Sequence, residues 1–64
     1  GGGVLKITVG SVIVSVADTD PERGFYEIML FSKESGDQLT EPRHISCFSE
    51  ISTAVYRAQQ MQKS

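Results

Sequence analysis

The chain has one cysteine, two prolines and no tryptophan, and its aromatic content is three phenylalanines and two tyrosines. The single cysteine, Cys47, has no intrachain disulfide partner, and one Cys with one His cannot hold zinc without carboxylates or a second chain. Charge of one sign is also scarce. The formal net charge is −2, and the bases Lys6, Arg23, Lys33, Arg43, Arg57 and Lys63 are spread along the chain with acids between them. Nucleic-acid binders gather their bases on one face because phosphate neutralisation dominates affinity; here only the fold could bring Arg23, Arg43 and Arg57 together. No apolar run approaches the roughly 20 residues of a membrane span. Lys6 followed by an apolar stretch ending Ser15-Val16-Ala17 has the outline of a secretion signal. Thr8, Gly10, Ser11 and Ser15 interrupt it, however, where such a signal needs about 7–15 apolar residues. The expectation is a soluble, cytoplasmic protein.

The chain is 64 residues long, and a domain of that size buries only about 60% of its unfolded surface. Its core supplies roughly 3–5 kcal/mol without staples, and with disulfides excluded, association with a second copy is the remaining common support. Gly1 to Gly3, with no methionine, read as a cloning remnant or a cut from something longer and are set aside from the fold. Residues 4–64 make a single small domain.

The segment Val4 to Ala17 is mostly β-branched and alternating, which is strand chemistry. Its phase slips at Gly10: Leu5, Ile7 and Val9 share one parity and Val12, Val14 and Val16 the other. A glycine at such a slip marks a bend or bulge, giving one bent strand or two short ones. Asp18 to Gly24 carries Asp, Pro and Gly together and joins two β patterns, so it reads as a hairpin loop. With Ala17 facing Phe25, the register pairs Val16 with Tyr26, Val14 with Ile28 and Val12 with Leu30, apolar on both sides as a core face requires. The opposite face pairs Ser15 with Glu27, Ile13 with Met29 and Ser11 with Phe31.

Lys33 to Asp37 is a second turn, with Gly36 at the position of positive φ. Gln38 to Glu41 is expected as a short edge strand, continued by Arg43 to Cys47 after the Pro42 kink. A five-residue loop would set Arg43 across from Glu27; a four-residue loop would break that pairing. Ile51, Ala54, Val55, Ala58 and Met61 then recur at helical spacing. Ser49 is the expected N-cap, Glu50 suits the positive end of the macrodipole and Lys63 the negative end. The expected fold is α+β, a small antiparallel β-meander of three to four strands with one C-terminal α-helix packed on one face. That helix is expected to bury Ile51, Val55, Ala58 and Met61.

Candidate chemistry is sparse. Asp18, Asp20 and Glu22 alternate as calcium-loop ligands do, but the required glycine is replaced by Arg23 and the bidentate glutamate by Met29, so an ordinary acidic loop is expected and no metal. His44 and Cys47 suggest a thiol nucleophile with a base. Residues three apart on an extended segment point to opposite faces, so a buried cysteine beside a surface histidine is the expectation, and a thiol enzyme is the weakest reading. Glu27 reads as a cross-strand partner of Arg43. No cofactor motif is present, and a domain this small rarely forms the roughly 300 Å³ pocket a small ligand needs.

The order strand, strand, strand, helix, with Phe48, Ser49 and Ala54 opening the helix, resembles the arm-binding domains of tyrosine integrases over roughly Ser11 to Gln62. The resemblance is one of pattern; those domains are rich in lysine and arginine, and no residue is carried over from them.

What remains is FYEIMLF, Phe25 to Phe31, apolar on both faces with one helix to cover one of them. The function expected from this is a non-catalytic protein–protein interaction or dimerisation module, working through the sheet face away from the helix. Ile13, Phe25, Met29 and Phe31 would anchor it, with Ser11, Ser15 and Glu27 around them, and the partner would be a protein or a second copy. The alternative is a sheet platform for nucleic acid that stacks bases on Phe25 and Phe31 and contacts phosphates through Arg23, Arg43 and Arg57. A third possibility is that Val4 to Val9 folds over the open face and covers it.

Overall fold

A computed structural model describes residues 3–62. Four strands, β1 (Val4–Val9), β2 (Val12–Asp20), β3 (Phe25–Ser32) and β4 (Arg43–Ile45), precede one helix, α1 (Glu50–Met61). Neighbours pair antiparallel in the order β1-β2-β3-β4, so the sheet is the expected meander. No helix among the described residues is long and apolar enough to cross a membrane.

The slip at Gly10 proves to be a reversal of the chain. Val9 pairs with Val12 across a two-residue turn in which Gly10 has φ +59°, a conformation that only glycine adopts without cost. The N-terminal segment therefore extends the sheet as an edge strand and does not fold over a face.

The register of the β2–β3 hairpin is displaced by two residues from the expected one. Val14 faces Leu30 and Val16 faces Ile28, and a bulge between Asp18 and Asp20 lets the strand run on to Asp20. Asp18 and Asp20 are thus strand residues, and the loop shrinks to Pro21–Gly24. The Thr19 hydroxyl at the bulge donates to the Phe25 carbonyl oxygen at 3.3 Å. Since side chains alternate with period two, a shift of two leaves every residue on its expected face.

Beyond β3 the turn closes with Ser32 N–H on the Asp37 carbonyl oxygen at 2.8 Å, which makes the loop Lys33–Gly36 four residues long, with Gly36 at φ +77°. Gln38 faces Phe31 in an isolated bridge, and further along His44 faces Glu27 and Arg43 faces Ile28. Extending the first pairing would set Pro42 against Glu27. The chain instead takes up two extra residues between Leu39 and Pro42. Gln38 to Glu41 consequently forms no strand beyond that bridge, and the last strand stops at Ile45. The Thr40 hydroxyl accepts the Leu30 N–H at 3.1 Å where the displaced main chain leaves that donor without a ladder partner, and Leu30 is 1% exposed.

Helix α1 lies against β1, β2 and β3. Its contact residues are Ile51, Ala54 and Ala58, all buried, with Val55 half-buried; the two alanines allow close approach to Val12, Val14, Val16, Ile28 and Leu30. Ile45, opposite Tyr26 on β4, completes the core. Two expectations for the helix are corrected. Met61 is 38% exposed rather than buried. Ser49 holds the N-cap position with helical dihedrals, where a capping residue is typically extended, and makes no capping bond; its hydroxyl lies against Cys47 instead. Lys63 lies outside the described residues.

At the far end the helix is tied down by one side chain. Gln62 Oε1 accepts from Ser11 N–H at 3.2 Å and Ser11 Oγ at 2.9 Å, and its Nε2 donates to the carbonyl oxygens of Val9 and Ala58, each at 3.1 Å. A Cβ on Gly10 would stand 2.7 Å from Gln62 Oε1, so this glycine serves both the turn and the close approach.

Candidate functional site

The strand registers stack the face away from the helix into rungs. Thr8, Ile13, Phe31 and Gln38 form one; Lys6, Ser15 and Met29 the next; Val4, Ala17, Glu27 and His44 a third; and Phe25 stands beyond them past the bulge. Four sequence-chosen anchors, Ile13, Phe25, Met29 and Phe31, therefore share this face with Ser15 and Glu27. No element of the described residues covers it.

Mutual packing shields much of the face. Ser15 at its centre is only 7% exposed, Ile13, Met29 and Phe31 are half-buried, and Phe25 at the end is 39% exposed. A shallow depression of about 390 Å³ lies between Ile13, Ser15 and Phe31, with Lys6 on one side and Lys33 on the other. The two lysines were not among the candidate site residues. The pairing of Lys6 with Ser15 and the turn at Lys33 were each readable, but only the folded sheet sets both ammonium stems beside Phe31.

The acid on this face pairs with a different base from the one expected. Glu27 Oε2 lies 3.0 Å from His44 Nε2. Arg43, one residue off and therefore on the helix side, pairs with Glu50 at 3.4 Å. The four-residue turn and the two-residue slip after Gln38 together cause the exchange.

The arginines do not join the aromatics. Arg43 and Arg57 line a crevice of about 20 Å³ between the sheet and the helix, room for about one water, on the side away from Phe31. Arg23 sits in the β2–β3 loop, 3.6 Å from Asp20. The acids of the DTDPE segment do not converge either, and among the described residues no three His, Cys, Asp or Glu side chains stand together as metal ligands.

Cys47 is exposed, which corrects the expectation of a buried thiol. It sits in the bend before α1 rather than in a strand. Its Sγ lies 2.8 Å from Ser49 Oγ. This contact, with a further bond from the Ser49 main chain, holds the thiol below its ordinary pKa, as hydrogen bonds to the charged form do. His44 is turned to Glu27, so the two members of the supposed thiol–base pair have different partners.

A second apolar opening lies on the helix side, where α1 does not reach. Leu5, Val16 and Tyr26 floor a groove of about 330 Å³ walled by Phe48, whose ring meets that of Tyr26 edge-on at 5.8 Å. Leu5 is 48% and Phe48 61% exposed.

In comparison with known proteins, the chain matches no family model, no curated protein and no solved structure.

Proposed function

We propose that this domain is a non-catalytic protein-interaction module that docks its partner on the open sheet face. The observation that carries this is the depression at Ile13 and Phe31, an apolar floor flanked by Lys6 and Lys33. An apolar centre with charged residues around it is the composition of a docking surface. Its chemistry suits a segment that inserts an apolar side chain between Ile13 and Phe31 and offers carboxylates to the two lysines. Glu27, paired with His44 at the other end of the face, sets the polarity in which an acidic segment lies. One free thiol and no disulfide suit a cytoplasmic setting.

The nucleic-acid alternative draws no support from Arg43 and Arg57, which lie on the helix side, or from Arg23, which is in the loop. The thiol-enzyme alternative loses its expected base, because His44 is paired with Glu27.

The test is a binding titration with acidic, apolar-centred peptides, comparing wild type with Lys33→Glu and with the Met29→Ser/Phe31→Ser pair. Binding lost in both variants supports the docking face. Equal binding by all three proteins rejects it, and tight oligonucleotide binding that falls steeply with salt would transfer the face to nucleic acid.

A further inference from the structure

The free edge of β1 has a defined hydrogen-bonding phase. Asp18 N–H donates to the Gly3 carbonyl oxygen at 3.1 Å, which fixes Gly3, Leu5, Ile7 and Val9 as the residues whose main-chain groups turn inward to β2. Antiparallel pairs alternate, so the N–H and C=O groups of Val4, Lys6 and Thr8 turn outward. Both side chains at the start of this edge are apolar and open: Val4 is 62% exposed on one face of the sheet and Leu5 48% on the other. An unpaired edge of that kind is a template for another strand.

We infer that a second copy of this chain pairs with this edge, β1 against β1 antiparallel, about a two-fold axis through Leu5. Symmetry leaves few registers. An axis through Lys6 would set two ammonium groups directly opposite, which is destabilising. An axis through Leu5 sets Leu5 on Leu5 and Val4 on Lys6, and the outward groups of Val4 in one copy and Lys6 in the other exchange both of their main-chain bonds.

The helix leaves room for this arrangement. Gln62 brings the end of α1 to Val9, at the far end of β1, and the groove beside Leu5, Tyr26 and Phe48 is uncovered. No described residue on the helix side therefore obstructs a strand at Leu5. The product is one continuous eight-stranded sheet with both helices on the same side, the two Leu5 side chains closing the inner ends of the two grooves. The two open faces become adjacent parts of one surface. This pairing does not depend on the docking reading above.

Two substitutions test it. In a Cys47→Ser background, Leu5→Cys places two thiols in a non-hydrogen-bonded antiparallel pair, with Cα atoms about 4.5 Å apart, within disulfide reach. Mild oxidation should convert that variant to a covalent dimer, whereas Thr8→Cys should remain largely monomeric. Lys6→Pro removes an outward N–H without removing a bond to β2, and proline is tolerated at such an edge position. Sedimentation should show a concentration-dependent dimer for wild type and its loss in Lys6→Pro, with the circular dichroism of the fold retained. Wild type that stays monomeric at all concentrations, or Leu5→Cys that cross-links no faster than Thr8→Cys, would overturn the pairing. A dimer lost in Met29→Ser/Phe31→Ser but kept in Lys6→Pro would also overturn it, in favour of self-association through the open face.

Discussion

The two faces of this sheet are made by the same strands, residue by alternate residue, yet they differ in depth of burial. On the helix side Val14 and Leu30 are 0% and 1% exposed. Their open-side neighbours Ile13, Met29 and Phe31 are half-buried, and they lean on one another with no element of the described residues above them. Alternation alone therefore sets which residues share a face, and the helix decides which face is a core. Apolar composition is a poor guide to burial where one sheet has a single helix to cover it.

The comparison breaks most visibly at Leu30. Leu30→Ala should cost about 2–5 kcal/mol, as much as a domain of this size has to give, and chemical denaturation should find the variant largely unfolded. Thr40→Val keeps the shape of the side chain but takes the acceptor from the buried Leu30 N–H. A loss of about 1–3 kcal/mol is expected, read as a lower denaturation midpoint with an unchanged slope. Phe31→Ser, on the open side of the same strand, should cost roughly 1 kcal/mol, about half the value of a fully buried side chain. A loss as large as that of Leu30→Ala would mean that the open face is a second core.

The smallest effect concerns the bend before the helix. The Ser49 hydroxyl holds the Cys47 thiol below its ordinary pKa, so at neutral pH the group is more ionised than a free cysteine. Ser49→Ala removes the bond that favours the thiolate, and the pKa rises. The alkylation rate of Cys47 should fall at neutral pH and its pH profile move upward, with stability nearly unchanged. An unaltered profile would show that the contact does not act on the thiolate.

Most of the architecture was legible because faces depend only on parity. The true β2–β3 register differs from the expected one by two, an even number, so Ile13, Met29 and Phe31 stay together although each faces a different partner. Whatever depends on the register itself was not legible. Thr19 forms a bulge inside a segment whose Asp, Pro and Gly content reads as loop, and the chain between Leu39 and Pro42 absorbs two residues that no local signal announces. Both decide pairings: the second gives Glu27 to His44 instead of Arg43. The burial of Ala54 and the exposure of Met61 depend on where the sheet ends beneath the helix, which periodicity does not report. Lys6 and Lys33 are far apart in sequence and became candidates only when the sheet placed them around Phe31.

The bonds from Gln62 to Val9 and Ser11 span 53 and 51 residues of sequence, nearly the whole described chain. Contacts of such separation bear the largest loop-closure cost and form after the local hairpins have paired. The amide of Gln62 thus acts on the lifetime of the native state more than on the speed of reaching it. In stopped-flow measurements Gln62→Ala should unfold faster and refold at the wild-type rate; slowed refolding would instead place this clasp in the folding nucleus.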